Sequence, residues 1–160
     1  MPYEVSGIDH LYLTVSHLQQ SEAFYDALFR LLDFRKGTDP VGGEPHIHYY
    51  NRVLQMTLRP AREGKPPHDQ FAPGLHHICL RVRDVATIDA IAQELRLLSI
   101  ESSEPRYYPE YAPDYYALYF RDPDGIEWEI VNQTHIRSLI QERWEQLDSF
   151  VDPLQRLGLQ

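Results

Sequence analysis

The sequence lacks the features that mark several classes of protein. It has one cysteine in 160 residues, so no intramolecular disulfide can form, and we expect a protein of the reducing cytoplasm. No apolar run approaches the ~20 residues of a membrane-spanning helix. Residues 1–4 show neither the basic nor the apolar part of a secretory signal. We therefore expect neither export nor a membrane partner.

Positive charge is also scarce. The chain has 15 Lys and Arg against 24 Asp and Glu, which gives a net charge of −9. A surface of that sign repels a phosphate backbone, so we expect no nucleic-acid partner. The hydrophobic fraction of 42% is ordinary for a globular protein, and the length suffices for one domain with a sizeable core. Composition therefore indicates a single acidic globular domain.

The chain does contain an internal repeat. Residues 7–15 (GIDHLYLTV) return as residues 74–82 (GLHHICLRV), with glycine, an aliphatic residue, a variable position, histidine and then alternating apolar residues. Self-similarity of this kind predicts two copies of one supersecondary unit. The repeat puts His10 and His77 at the same position of each copy, so the two imidazoles would be related by a pseudo-twofold axis.

Each copy has the pattern of one strand, one helix and three further strands. Period-two alternation predicts a strand at 8–15, and an apolar stripe with period 3.6 predicts a helix at 19–33, with Ser21 as its cap. In the second copy Asp84 is the expected helix cap. We therefore predict an α+β fold of two tandem βαβββ modules. The expected bounds are 7–60 for module one, 61–73 for a Pro-rich linker and 74–132 for module two.

Residues 134–160 lie outside the repeat and form a C-terminal helical extension. An amphipathic helix is predicted by apolar residues at helical spacing, namely Ile136, Ile140, Trp144, Leu147 and Val151. Such a stripe needs a cover. We expect it to pack on its own sheet or on a second subunit, and a homodimer is favoured over a monomer.

Strand alternation supplies a candidate third partner for the two repeat histidines. It puts Glu129 on the face of the last strand opposite Trp128 and Ile130. Beside His10 and His77, Glu129 would complete two imidazoles and a carboxylate, a set that leaves coordination positions open for substrate. A single strand histidine or acid is more often a hydrogen-bonded or solvent-facing group. The repeat is what favours the metal interpretation.

The sequence resembles the vicinal oxygen chelate superfamily, which includes glyoxalase I, extradiol ring-cleaving dioxygenases, fosfomycin-resistance enzymes and bleomycin-binding proteins. Four segments carry the resemblance: GIDH at 7–10, SxxFY at 21–25, GLHH at 74–77 and DPDGIEWE at 122–129. The resemblance implies two modules forming a curled mixed sheet around a metal cleft. It also implies His10, His77 and Glu129 as ligands of one divalent ion (Fe, Mn, Ni or Zn), and a small substrate that chelates the ion through adjacent oxygens.

The sequence departs from the members of that family in two places. The fourth ligand of glyoxalase I, a Glu, is matched most nearly by Gln55, either a weak ligand or a cleft hydrogen-bonding group. Residues 118–129 resemble half of the extradiol signature, in which Tyr119 would donate to substrate, although Tyr119 could instead only pack the sheet. The family's proton-handling histidine is absent, and Tyr111, Tyr115 or His48 are its possible substitutes.

These patterns rank the functions. The first is a metal-dependent enzyme, with an extradiol-type dioxygenase placed above a lyase or isomerase. The alternative is a metal-independent drug-binding protein of the bleomycin-resistance type, and a metal-stabilised scaffold without turnover is the third. We also expect His46 and His48 to line the cleft or the surface, His76 to face away from His77, and Cys79 to be a small buried residue.

Overall fold

The computed structural model describes residues 3–147 and 150–159. It confirms the predicted α+β fold of two βαβββ modules. The first module comprises β1 (His10–Val15), α1 (Leu18–Leu31), β2 (Arg35–Gly37), β3 (Ile47–Tyr50) and β4 (Gln55–Pro60). The second comprises β5 (His77–Val82), α2 (Val85–Leu97), β6 (Arg106–Tyr107), β7 (Tyr116–Arg121) and β8 (Glu127–Asn132).

Each module forms its own four-stranded mixed sheet, and the two sheets have equivalent strand orders. These orders are β1-β4-β3-β2 and β5-β8-β7-β6. The first strand of each module pairs in parallel with the last, and the remaining pairs are antiparallel. In this register His10 lies opposite Gln55, and His77 lies opposite Glu127. The repeat seen in the sequence is therefore also a repeat of strand pairing.

The helices and the inner sheet faces share one hydrophobic core that joins the modules. Alternation along β8 buries Trp128 and Ile130 completely, and the Trp128 ring packs edge-on against Tyr25 and Phe29 of α1. Apolar burial of this kind stabilises by about 25 cal/mol per Å². The opposite faces of the sheets do not belong to this core, and they carry most of the polar side chains considered below.

The turn between β7 and β8 adds polar contacts between the modules. Asp122 accepts a 2.6 Å hydrogen bond from the Tyr25 hydroxyl, and its other oxygen accepts from the backbone N–H groups of Asp124 and Ile126. Asp124 accepts in turn from the N–H of Ser16. Gly125 closes the turn at φ +83°, a region that favours glycine.

The predicted helix caps are half right. Asp84 caps α2 by accepting from the N–H of Thr87. Ser21 is not the cap of α1, because that helix begins one turn earlier, after His17, and Ser21 lies buried within it. A small side chain suits this buried position.

The C-terminal extension forms shorter elements than the sequence predicts. α3 (His135–Glu142) gives way to a 3-10 turn at Trp144–Gln146, and α4 (Pro153–Arg156) packs against α3. The expected continuous helix to Val151 is wrong, because the backbone leaves helical geometry after Glu142; residues 148–149 of that prediction lie outside the described residues. No residue of α3 is fully buried. Among the described residues, no helix has the length and apolar character needed to cross a membrane.

Candidate functional site

Glu129 lies at the centre of the open face of the second sheet. Its side chain is almost fully buried, with 2% of the residue exposed. One carboxylate oxygen, Oε1, accepts hydrogen bonds from the hydroxyls of Tyr115 at 2.6 Å and Tyr119 at 2.9 Å. A buried carboxylate is costly unless such partners are present. The two phenols therefore account for the position of Oε1, and Oε2 remains for another group.

That other group is His77. Its Nε2 atom lies 3.3 Å from Oε2 of Glu129. The two residues are close because β5 and β8 pair in parallel, so that the first residues of both strands lie side by side. Cys79 shares this face and pairs directly with Glu129. It is exposed rather than buried as expected, because this face of the strand is open.

The two phenols remain neutral donors at ordinary pH. Desolvation raises the pKa of both Tyr115 and Tyr119 well above that of a free phenol, and their hydrogen bonds to Glu129 raise it further. Each hydroxyl therefore keeps its proton and donates a hydrogen bond to the carboxylate.

A cavity of about 600 Å³ opens in front of Glu129. Besides Glu129 it is lined by His76, His77, Arg106, Tyr108, Glu110, Tyr111, Tyr115, Tyr119 and Glu127. The Arg106 guanidinium lies 4.0 Å over the Tyr108 ring, so one wall of the cavity combines positive charge with an aromatic face. This volume is large enough for a small organic molecule.

His10 lies on the first sheet and does not join this cavity. It pairs with Gln55 across β1 and β4, and its Nδ1 atom lies 2.8 Å from Asp9 Oδ2. Within residues 3–147 and 150–159, His10 forms no group with His77 and Glu129 in which all ligand atoms lie within 4.8 Å. One chain thus brings together two of the three expected ligands.

The other candidate residues divide between the two sheets. Tyr111 lines the cavity. His48 and Gln55 instead lie on the first sheet, where both contact the Thr57 hydroxyl, at 3.0 Å from His48 Nδ1 and 2.9 Å from Gln55 Nε2. In the strand register Gln55 corresponds to Glu127, and Thr57 corresponds to Glu129. The counterpart of the central carboxylate is therefore a hydroxyl.

His76 does not face away from His77, and that prediction is wrong. The two Nδ1 atoms lie 2.7 Å apart, because His76 precedes β5 and is free of strand alternation. His76, His77 and Glu127 form a group of ligand atoms within 4.8 Å. However, Glu127 accepts from Gln70 through one oxygen and from the Arg121 guanidinium through the other. Both oxygens of Glu127 are therefore engaged, one of them by the Arg121 cation. The group of His76, His77 and Glu127 suits a metal less well than the pair of His77 and Glu129.

The donor atoms of His77 and Glu129 fit a divalent ion. Two donors bound at about 2.1 Å and at octahedral or tetrahedral angles are separated by roughly 3.0–3.4 Å, and the observed separation is 3.3 Å. Imidazole and carboxylate donors suit Fe, Mn, Ni or Zn. The sequence did not single out the Tyr115 bond to Glu129, since Tyr115 lies in a loop without periodicity. Its only signal was the density of tyrosines at 107–119.

Comparisons with known proteins show the family and the fold of this chain. A sequence profile of the Glyoxalase/Bleomycin resistance protein/Dioxygenase superfamily matches residues 7–130. The crystal structure of a glyoxylase/bleomycin resistance protein/dioxygenase domain from Frankia sp. EAN1pec is similar, with 24% identity, a TM-score of 0.68, and coverage of 82% of this chain and 100% of that one.

Two further crystal structures share the fold at lower identity. Lactoylglutathione lyase from Agrobacterium tumefaciens matches with 19% identity and a TM-score of 0.59, over 81% of this chain and 96% of that one. A variant of the fosfomycin resistance protein FosX from Listeria monocytogenes, complexed with Mn(II) and 1S,2S-dihydroxypropylphosphonic acid, matches with 17% identity and a TM-score of 0.61, over 85% and 99%. With the profile match spanning most of its length, the chain belongs to the glyoxalase/bleomycin resistance protein/dioxygenase superfamily.

Proposed function

We propose that this protein is a metal-dependent enzyme acting on a small molecule with two adjacent oxygens. The observation that carries the proposal is the buried Glu129 carboxylate, whose Oε2 lies 3.3 Å from His77 Nε2 at the floor of a cavity. A buried carboxylate with one oxygen facing an imidazole is an arrangement that a divalent cation stabilises. The composition supports a cytoplasmic location for this enzyme.

We further propose that His10 of a second copy completes the ligand set. Each chain has two open sheet faces, one with His10 and the other with His77 and Glu129. A twofold dimer that apposes unlike faces would form two equivalent sites. This arrangement gives every repeat histidine the same role, which supports the homodimer expected from the sequence.

In such a site some residues would bind the ion and others would orient the substrate. The bound ion would act as a Lewis acid toward two adjacent substrate oxygens. His10, His77 and Glu129 would leave neighbouring coordination positions free for those oxygens. Four tyrosines line the cavity, and Arg106 provides positive charge at its wall. Ring-cleaving dioxygenation ranks first, and lyase or isomerase chemistry ranks second.

The alternative is a metal-independent binding protein. It is favoured by the cavity lining, since four tyrosines face a space of about 600 Å³ and aromatic faces bind planar ligands without any metal. Metal uptake separates the two functions, because the binding protein needs no ion.

Metal analysis of purified protein tests the proposal. After chelation and reloading with Mn²⁺, Fe²⁺, Ni²⁺ or Zn²⁺, the wild type should retain an ion through dialysis, while His77→Ala and Glu129→Gln should lose it. His135→Ala is the matched control, because His135 is an exposed histidine on α3. A wild type that retains no ion, or an H77A protein that retains it fully, contradicts the proposal.

Mixing variants tests the shared site. His10→Ala and His77→Ala homodimers each lack a ligand in every site, but a mixed dimer has one intact site. Random exchange of subunits should therefore restore about a quarter of the metal sites. No recovery after verified exchange would contradict a site shared between two copies.

A further inference from the structure

We infer that Tyr115 and Tyr119 are positioning residues that hold Glu129 as a one-oxygen metal ligand; this inference rests on the proposed function above. The resemblance to extradiol dioxygenases implied a different role for Tyr119, donation to the substrate. In the structure the Tyr119 hydroxyl instead donates its hydrogen bond to the Glu129 carboxylate.

The two phenols converge on one oxygen from different elements. Tyr119 reaches Oε1 from β7, where it pairs directly with Glu129, and Tyr115 reaches it from the residue before that strand. A carboxylate oxygen has two lone pairs in its plane. Two hydrogen bonds at 2.6 and 2.9 Å use them both. Only Oε2 is then available to an ion, and it is the oxygen that faces His77.

The pair is itself held in place. The Tyr119 ring packs edge-on against Tyr108, with centroids 5.4 Å apart, and its backbone N–H donates to the Ser103 hydroxyl. The Tyr115 ring packs against Tyr111 at 5.1 Å. Because the donors are already ordered, little side-chain freedom is lost when Glu129 takes an ion.

This assignment also indicates which phenols remain for the substrate. A tyrosine hydroxyl has one proton to donate, and those of Tyr115 and Tyr119 are directed to Glu129. Among the described residues, Tyr108 and Tyr111 line the same cavity without donating their hydroxyl protons to another side chain or to the backbone. Substrate hydrogen bonds are therefore expected from Tyr108 or Tyr111.

Four Tyr→Phe variants separate these roles, because each keeps the ring and removes only the hydroxyl. Tyr115→Phe and Tyr119→Phe should weaken Mn²⁺ affinity by about 10- to 100-fold, the usual effect of removing a partner of a metal ligand. Tyr108→Phe and Tyr111→Phe are the matched controls and should bind Mn²⁺ like the wild type. Calorimetry gives the affinities, and the Mn²⁺ EPR spectrum reports the change at the ion itself.

A double-mutant cycle makes the test specific to Glu129, provided that calorimetry uses Mn²⁺ concentrations high enough to measure the weakened affinity of the Glu129→Gln protein. In a Glu129→Gln background, Tyr119→Phe should cause no further loss of metal affinity, since the anionic oxygen that the phenol holds is gone. Additive losses would overturn the inference, as would Tyr115→Phe and Tyr119→Phe proteins that bind Mn²⁺ as tightly as a metal-binding wild type. If the wild type binds no ion, the proposed function itself is overturned, and the variants do not need to be compared.

Discussion

The residue before each repeat histidine contacts the ring of that histidine. Asp9 Oδ2 lies 2.8 Å from Nδ1 of His10, and His76 Nδ1 lies 2.7 Å from Nδ1 of His77. A carboxylate only accepts, so the proton of neutral His10 lies on Nδ1 and its Nε2 is free. The same arrangement at His77 would leave Nε2 free toward Glu129. A position that varies between the two copies thus contacts the same ring nitrogen in both.

The hydroxyl of Tyr25 is the residue-scale feature with the clearest effect on stability. Tyr25→Phe leaves a buried oxygen of Asp122 without its 2.6 Å donor and removes the acceptor of the Trp128 indole N–H. We expect a loss of about 1–3 kcal/mol in the free energy of unfolding, the usual cost of an unsatisfied buried polar group. Urea denaturation measures it.

A control for this substitution is available nearby. Tyr107 is 53% exposed, so Tyr107→Phe should leave the urea midpoint close to that of the wild type. Equal midpoints for the two variants would show that the Tyr25 bond contributes nothing to the contact between the modules.

At the scale of elements, the C-terminal extension is the part with the least burial. None of the residues of α3 is fully buried, although Ile136, Leu139 and Ile140 are half-buried. The extension is joined to the site region through Asp114, the residue that precedes Tyr115 in the sequence. The Asp114 carboxylate accepts a hydrogen bond from the N–H of His135. The extension can therefore affect both assembly and the loop that carries Tyr115.

Removal of residues 134–160 takes away the half-buried apolar stripe of α3 and the hydrogen bond of His135 to Asp114. We expect dissociation, because a dimer that used the stripe would lose it, or aggregation, because apolar surface in contact with the stripe would be uncovered. Light scattering and thermal unfolding measure both effects. A shorter deletion of residues 152–160 is the control, since it leaves α3 and its contact with Asp114 in place. Unchanged mass and melting temperature in the longer deletion would contradict any role for α3.

At the scale of the whole molecule, the repeat made most of the fold predictable. Strands and helices were recognised from local periods of 2 and 3.6 residues, and the repeat gave the order of these elements in both modules. The two modules and the strand face that carries Glu129 could therefore be predicted from the sequence. The relation of His10 to His77 did not follow. The open face that lies against another open face is determined by packing between modules or between copies of the chain. No short-range sequence pattern predicts that packing. The Tyr115 bond was missed for a similar reason, because loops have no period.

Alkaline pH should destabilise the whole molecule through phenols that are buried or hydrogen-bonded to carboxylates. Burial is the main cause that raises the pKa of Tyr25, and the charge of Asp122 raises it further. Burial is also the main cause for Tyr49, where the hydrogen bond to Asp26 adds to it. The hydrogen bond to Asp89 raises the pKa of Tyr116 to about 12. A raised folded pKa means that the native state holds these protons more tightly than the unfolded chain. Their contribution to stability is therefore complete below pH ~10 and is lost as pH rises above it.

We therefore expect the free energy of unfolding to fall steeply above pH ~10, with a cooperative rise in phenolate absorbance as the protein unfolds. Urea titrations at successive alkaline pH values, read by circular dichroism, give the slope. Tyr116→Phe should make that slope shallower, because it removes one group whose proton is held by the native state, and Tyr107→Phe provides the comparison at an exposed site. Phenolate absorbance that reaches its full value before any loss of secondary structure would contradict the expectation, since it would place every tyrosine within reach of hydroxide in the folded protein.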